Sequence, residues 1–406
     1  MFTYAAWQSL RSSEPYAFDS QAAAQHAHDA FRTAASRCLV QDDYTVPGKY
    51  KVETLILYFG MEYYRRAQED TAPTSASFLW AGIVRLALHM GYHRDPRHFQ
   101  HITPFEGEMR RRAWALLVEC DTIVSFLFGV PISIPRRFSD TALPRNLRDE
   151  DLSEDMTELP VSRSDAESTP VLYQITACRI MSVFADILDA VADRNSPSYT
   201  AVLELDAKLT DSESRIPLSL RPKRLMEAVM DPAGLIIQRY WLQIVVHRAR
   251  CVLHRRWLRA GKRDERVARS RRACINAAVC LLRTQAELDQ ETQPGGRLFK
   301  ERWMLTRCIP DFLLGGMILC LELSDLKKAS GELDLEVVVP TEEMLRILRA
   351  SRKIWQTSHK ESRDASRAFK IISRMLAIST GSSPCSGSGD ERRDSPTERT
   401  PESGTL

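Results

Sequence analysis

The chain has 406 residues, 44% apolar and 27% charged, enough to bury one large core or two ordinary ones. An aromatic content of 8% with only 17 glycines excludes a collagen-like or mainly turn-built chain. A net charge of +3 is near neutral for this length and selects no partner by itself.

No apolar run approaches the ~20 residues that cross a bilayer. The best candidate, Phe312–Leu321, stops at Glu322 and reads as a buried core helix. The opening MFTYAAWQSLRSSE lacks the basic start and apolar stretch of a secretory signal, so the expectation is a soluble, intracellular chain with no membrane contact.

In chain order, residues 1–19 read as an extension. From Ser75, Leu79, Ile83, Leu86 and Met90 recur at helical spacing, with Gly91 as a C-cap. Thr103-Pro104-Phe105-Glu106 then predicts a helix start: Thr103 as N-cap, Pro104 in the first turn, and Glu106 completing a capping box. The stripe Met109, Ala113, Leu116, Cys120, Ile123, Leu127 follows, ended by Gly129 and Pro131. Residues 130–170 carry five prolines and an acidic second half, which predicts a long connection with short helices at most.

Helical patterning resumes over 171–192, 201–209, 235–258, 267–288, 299–323 and 342–355. The only β-branched run is LEVVV at 335–339, closed by Pro340. From Ser379 to Leu406 the Ser, Gly, Pro and Thr content predicts a disordered tail, and its Ser395-Pro396 and Thr400-Pro401 pairs suit proline-directed phosphorylation. No fixed-period repeat is present. The expected fold is therefore all-α: an irregular multi-helix bundle over 20–378 with a disordered C-terminal tail.

Recognisable reactive patterns are missing. There is no G-x-S-x-G, no phosphate-binding G-x-x-x-x-G-K-[ST], no G-x-G-x-x-G and no H-E-x-x-H. Nine single cysteines without any C-x-x-C pair read as reduced thiols, Cys274 and Cys280 as core residues. His89 and His93 stand four apart but have no acidic or thiol neighbour, and His247 and His254 lie in a basic stretch that repels a cation. The expectation is no catalytic, cofactor or metal site.

Asp121 lies beside the apolar stripe and needs a partner, for which Arg85, His93 and Arg94 are the candidates. From His247 to Arg272 eleven Lys or Arg face two acids. The apolar positions in this stretch predict a core face, with its arginines solvated or paired with the acidic segment Asp149–Glu167; direct DNA contact is the rival reading.

A family resemblance enters at Trp80–Leu152. The runs WAGIVRLALHMGYHRD, TPFEGEMRRRAWALLVECDTIVSFLFGVPISI and LPRNLRDEDL resemble the middle homology region of fungal zinc-cluster transcription factors. The family's "lA..lGlHrD" falls on Leu86, Ala87, Gly91, His93, Arg94 and Asp95. Its "E.RRR.WW" falls on Glu108, Arg110, Arg111, Arg112 and Trp114. Asp121, the Gly129-x-Pro131 turn, and Pro144, Asn146 and Asp149–Leu152 complete it. Ala115 replaces the second Trp and Tyr92 the leucine, both expected to be core-volume changes. The resemblance extends over about residues 20–375, since WLQIVVHRARCVLHRRWL, SRRACINAAVCLL and PDFLLGGMILCLEL also look like the family.

The resemblance implies a nuclear, non-catalytic transcription regulator of RNA polymerase II genes, with metabolic genes as the candidate targets. Its motif residues are expected to be mainly structural, with at least one of Arg110–Arg112 turned inward onto Asp121 or Glu119. The family's six-cysteine zinc module has no counterpart here, so no zinc is expected. DNA contact is expected only through an absent or separate zinc cluster, the sequence being either a truncated gene model or a regulator without the module. Implied partners are coregulators or a DNA-binding family member, a homo- or heterodimer partner, and a small-molecule effector. Two rival readings are a helical enzyme with Asp121, His93 and Arg112 in a cleft, and a dimerising antagonist without DNA-binding capacity.

Overall fold

The computed structural model describes residues 19–69, 74–195, 197–223, 225–228, 230–328, 338–358 and 363–380. Among them all regular structure is helical, with eleven α-helices joined by 3-10 turns and no strand. The N-terminal extension, most of LEVVV and the Ser/Pro tail from 381 lie outside the described residues. No helix among the described residues is long and apolar enough to cross a membrane.

The helices are α1 (Gln21–Gln41), α2 (Lys51–Glu69), α3 (Thr74–His89), α4 (Pro104–Phe128), α5 (Pro170–Ala192) and α6 (Tyr199–Ser214). They continue as α7 (Ala233–His254), α8 (Ala268–Glu291), α9 (Leu305–Lys328), α10 (Thr341–Ser358) and α11 (Arg363–Thr380). The capping box at α4 is present: Glu106 N–H donates to Thr103 Oγ1 at 3.2 Å, and the Glu106 carboxylate accepts from Thr103 N–H. Gly91 and Gly129 end α3 and α4 at φ 75° and 65°, the left-handed conformation that a side chain strains.

Several expected spans differ from the structure. The helix read from Phe299 begins only at Leu305, because Glu301 (φ −101°, ψ 17°) breaks helical geometry and leaves a 3-10 stretch before it. The helix read to Leu258 ends at His254 and tightens into 3-10 turns. α11 runs two residues beyond the expected end of the folded body, to Thr380. α1, α2 and α11 have no counterpart in the sequence reading; on α11 the buried face is Ala365, Ala368, Ile372 and Leu376, and the small alanines dilute the apolar period.

Two cores share one beam. The smaller packs α2, α3 and α4 through Leu55, Phe59, Trp80, Ile83, Trp114 and Leu117. The larger packs α5 to α11 through residues such as Phe184, Trp241, Ile275, Phe312 and Leu348. α4 belongs to both: Trp114 and Leu117 face the smaller core, while Ile123 and Phe126 pack on the larger.

Charge is buried inside the larger core. Arg248, 1% exposed, donates to Asp311, 0% exposed, through Nε at 2.5 Å and Nη2 at 2.8 Å. The guanidinium also stacks 4.9 Å from the Phe126 ring and 5.3 Å from that of Trp241. Arg271 and Lys262 both meet Glu322, at 2.5 and 3.1 Å. These acids lie on α9, and Asp206 and Glu213 of α6 take Arg269 and Arg250. The expected pairing of this basic stretch with Asp149–Glu167 is thus corrected: that acidic segment binds Arg112, Arg163 and Arg179 instead.

Removing one member of a buried ion pair leaves the other uncompensated. Asp311→Ala is expected to cost about 3–5 kcal/mol in urea unfolding, and Arg248→Met with Asp311→Leu distinctly less, since the pair's desolvation cost disappears with both charges. Equal losses in the two variants would refute that assignment.

Candidate functional site

The motif residues converge where the end of α3, the start of α4 and the 130–170 connection meet. Asp95, wholly buried, is the hub. Arg111 forks onto it, Nε to Oδ2 at 3.0 Å and Nη2 to Oδ1 at 2.8 Å. The backbone N–H groups of Arg97 and Ala142 donate to the same carboxylate at 3.1 and 3.0 Å. Burial raises the Asp95 carboxyl, but the Arg111 guanidinium and these N–H donors outweigh it and hold the group well below the usual carboxylate range.

Two more carboxylates extend the clamp. Asp140 accepts from Asp95 N–H at 3.0 Å and meets His98 Nε2 at 2.7 Å; Arg94 lies 3.6 Å away. Glu108, also wholly buried, accepts from Arg145 N–H at 3.0 Å and sits 3.6 Å from Arg112 Nε. Burial nevertheless leaves the Glu108 carboxyl raised. Asn146 adds a neutral tie: its amide donates to Ser164 and Glu167 carbonyls at 2.9 and 3.1 Å, and its own carbonyl oxygen accepts from Thr169, the N-cap of α5.

The three consecutive arginines take three different partners. Arg110 donates to the Met90 carbonyl at 2.6 Å and lies over the Tyr92 ring at 4.4 Å. Arg111 takes Asp95, and Arg112 takes Asp149 at 2.7 Å and the Leu147 carbonyl at 3.4 Å. The expected inward partners, Asp121 and Glu119, are corrected: both are buried two to three turns further along α4, where the rise of about 1.5 Å per residue sets them roughly 10 Å or more from the arginines. Tyr92, in the family's leucine position, is buried and donates its hydroxyl to Glu53 at 2.8 Å. Ala115 is buried too.

Among the described residues no cation is a hydrogen-bond partner of Asp121, a second correction. Oδ1 accepts from Trp80 Nε1 at 2.8 Å, and Oδ2 from Ser133 and Ile134 N–H, both at 2.9 Å. It anchors the chain just after the Gly129–Pro131 turn, while Ser125 donates to the Pro131 carbonyl. Burial raises its carboxyl and these donors oppose that shift. Arg85 and Arg94 are exposed, and His93 packs 6.3 Å from the Trp114 ring, whose Nε1 donates to Ser139. Asp121, His93 and Arg112 therefore turn to separate partners rather than to a common cleft.

A carboxylate–imidazole–hydroxyl relay escaped the sequence reading. Asp206 Oδ1 stands 3.5 Å from His254 Nε2, and His254 Nδ1 lies 2.9 Å from Ser270 Oγ. His254 and Ser270 are both 0% exposed, and Ser270 reaches the Tyr199 hydroxyl at 3.3 Å. In this packing no substrate reaches the serine, so the relay joins α6, α7 and α8. A separate apolar groove of about 850 Å³ runs between the α1–α2 connection and α3, lined by Tyr44, Leu55, Phe78, Gly82 and Leu86.

Residues 7–214 match the family described as "Fungal specific transcription factor domain". The chain is 37% identical over 369 residues to the pyrrolocin cluster transcription factor fsdR of Fungal sp. (strain NRRL 50135), covering 89% of this chain and 47% of that protein. It is 38% identical over 355 residues to the Zn(2)-C6 fungal-type transcription factor pigI of Monascus ruber, covering 85% and 43%. It is 35% identical over 365 residues to the equisetin cluster transcription factor eqxF of Fusarium heterosporum, covering 89% and 52%. No solved structure matches. The chain belongs to the fungal specific transcription factor domain family, and it spans about half the length of the curated relatives it matches.

The zinc implied by the relatives' names does not fit the residues described here. Among them no group of three His, Cys, Asp or Glu could hold a metal ion: Cys178, Cys308 and Cys320 are buried in the helical core, and the neighbouring Cys251 and Cys274 are buried as a pair. Burial pushes the Cys308 and Cys320 thiols up to about 12, away from the thiolate a metal requires.

Three outcomes follow from this geometry. Arg111→Gln, which strands Asp95, is expected to cost about 3–5 kcal/mol at neutral pH by chemical denaturation. Because the folded Asp95 carboxyl is depressed, its stabilisation is present above the ordinary Asp pKa of about 4 and is lost as pH falls through the folded value. The gap between wild type and Asp95→Asn should accordingly shrink in acid; a constant gap would contradict the clamp. Asp121→Asn sets an amide N–H₂ against existing donors and should cost about 1–3 kcal/mol, less than loss of an ion pair.

Proposed function

We propose that this chain is the helical regulatory body of a nuclear transcription regulator that controls RNA polymerase II genes. The family match at 7–214 carries this reading, and the relatives' similarity over 85–91% of the chain supports it. The names of two of those relatives refer to the pyrrolocin and equisetin clusters. By analogy we assign the present chain to the control of a metabolic gene cluster. Sequence-specific DNA reading belongs, in this proposal, to a zinc cluster outside these 406 residues or on a DNA-binding family member with which the chain pairs. The partners are transcriptional coregulators.

Catalysis has no place in this reading. Asp95, Glu108, Asp121, Asp206 and Asp311 are all spent on protein donors. What the arrangement suits is a change between two packings, because regulation needs states that differ in affinity for an effector or partner. The groove beside α3 lies in the ~300–1,000 Å³ range of small-molecule sites, which supports a small-molecule effector.

The test is a fusion of the whole chain to a heterologous DNA-binding domain at a reporter promoter. Reporter output should change relative to the DNA-binding domain alone, and Arg111→Gln should abolish the change. Unchanged output from a well-expressed, nuclear fusion would sink the proposal.

A further inference from the structure

The stretch from Arg255 to Arg272 folds into a corner. Three 3-10 turns, Arg255–Trp257, Ala260–Lys262 and Glu265–Val267, lead into α8 and pack on one another and on its first turns. Its cations divide into two sets. Lys262 and Arg271 point inward, 9% and 3% exposed, and share Glu322. The other seven point to solvent: Arg255, Arg256 and Arg259 on the first turns, then Arg263, Arg266, Arg269 and Arg272 at a constant spacing of three.

The local acids Asp264, Asp206 and Asp325 pair with three of the seven. Asp264 is held by Arg266, at 2.9 and 2.8 Å. Asp206 is divided between Arg269 and His254, and Asp325 between Arg259 and Lys262. Arg255 and Arg263 make no ion pair among the described residues.

The fold does not ask for this arrangement. The first turn of α8 holds no acid and its N-cap, Val267, gives no side-chain hydrogen bond, yet arginines crowd the positive end of the helix dipole. Like charges there work against stability, so an anion that neutralises them is the natural counterpart.

The corner also lacks what a protein partner needs. Within 255–272 the large apolar side chains are turned in: Leu258 and Val267 are buried and Trp257 is half-buried against Tyr199. Protein interfaces draw their energy from apolar and aromatic anchors, whereas phosphate-backbone contact needs only exposed, fork-shaped cations. We propose that this arginine corner is a second, sequence-independent contact for the phosphate backbone of duplex DNA. It is distinct from the base-reading module assigned elsewhere and does not rest on that assignment.

The experiment uses the whole 406-residue chain and fluorescence anisotropy with two labelled duplexes of about 20 bp and unrelated sequence, at a series of salt concentrations. A labelled polyglutamate of similar charge is the parallel probe. Expected are equal affinities for the two duplexes, weaker binding of polyglutamate, and log K falling linearly with log salt. At ~0.9 per phosphate neutralised, Arg255→Gln with Arg263→Gln should flatten the slope by roughly 1.8 while leaving the melting temperature unchanged. No DNA binding at low salt, a slope unaltered in the double variant, or polyglutamate binding as tight as DNA would each overturn the proposal, the last in favour of an acidic protein.

Discussion

The structure depends most on a single buried carboxylate. Asp95 has no contact with water, and the forked Arg111 guanidinium together with two backbone N–H groups keeps it charged there. Those donors come from α4, from the turn after α3, and from the connection that returns across them. One side chain therefore fixes three segments. Asp140 and Glu108 repeat the device on either side, each taking a backbone N–H from a loop. The 130–170 connection has almost no helix and no sheet to satisfy its backbone. It is held instead by inward-facing carboxylates and by Asn146, which answers the accounting that buried peptide groups impose.

Charge serves the larger core differently. Arg248 and Asp311 cross between α7 and α9 inside a shell of aromatic rings, and Glu322 gathers Arg271 and Lys262 below them. Such pairs contribute little net stability, because desolvation offsets the attraction. Their directional demands, however, set how α7, α8 and α9 register against one another. The same stretch of chain turns its remaining arginines outward, so one basic run supplies both internal ties and a charged corner.

Much of this was legible in the sequence, and the rest failed for definable reasons. The Thr103–Glu106 capping box and the Gly129 stop are local, and they appear where the residues put them. The partners of the arginines are not local. Asp95 lies sixteen positions from Arg111 and Asp149 thirty-seven from Arg112, so linear proximity favoured the wrong acids. Asp121 looked like half of an ion pair because a carboxylate on an apolar stripe suggests a cation; backbone N–H groups and a Trp indole supply its donors instead. Arg248 was readable: it shares the stripe of Trp241, Ile244, Val245, Ala249 and Val252, as Asp311 shares that of Cys308, Phe312 and Leu319. A charge in a core stripe facing an opposite charge in another stripe was the missed signal.

The central claim is that carboxylates, rather than regular secondary structure, hold the 130–170 connection to the body. Native-state hydrogen exchange at the Ala142 and Arg145 amides, which donate to Asp95 and Glu108, tests it most directly. The account predicts that both exchange as slowly as the α4 interior. Exchange at the rate of a free loop, with α4 still protected, would contradict it.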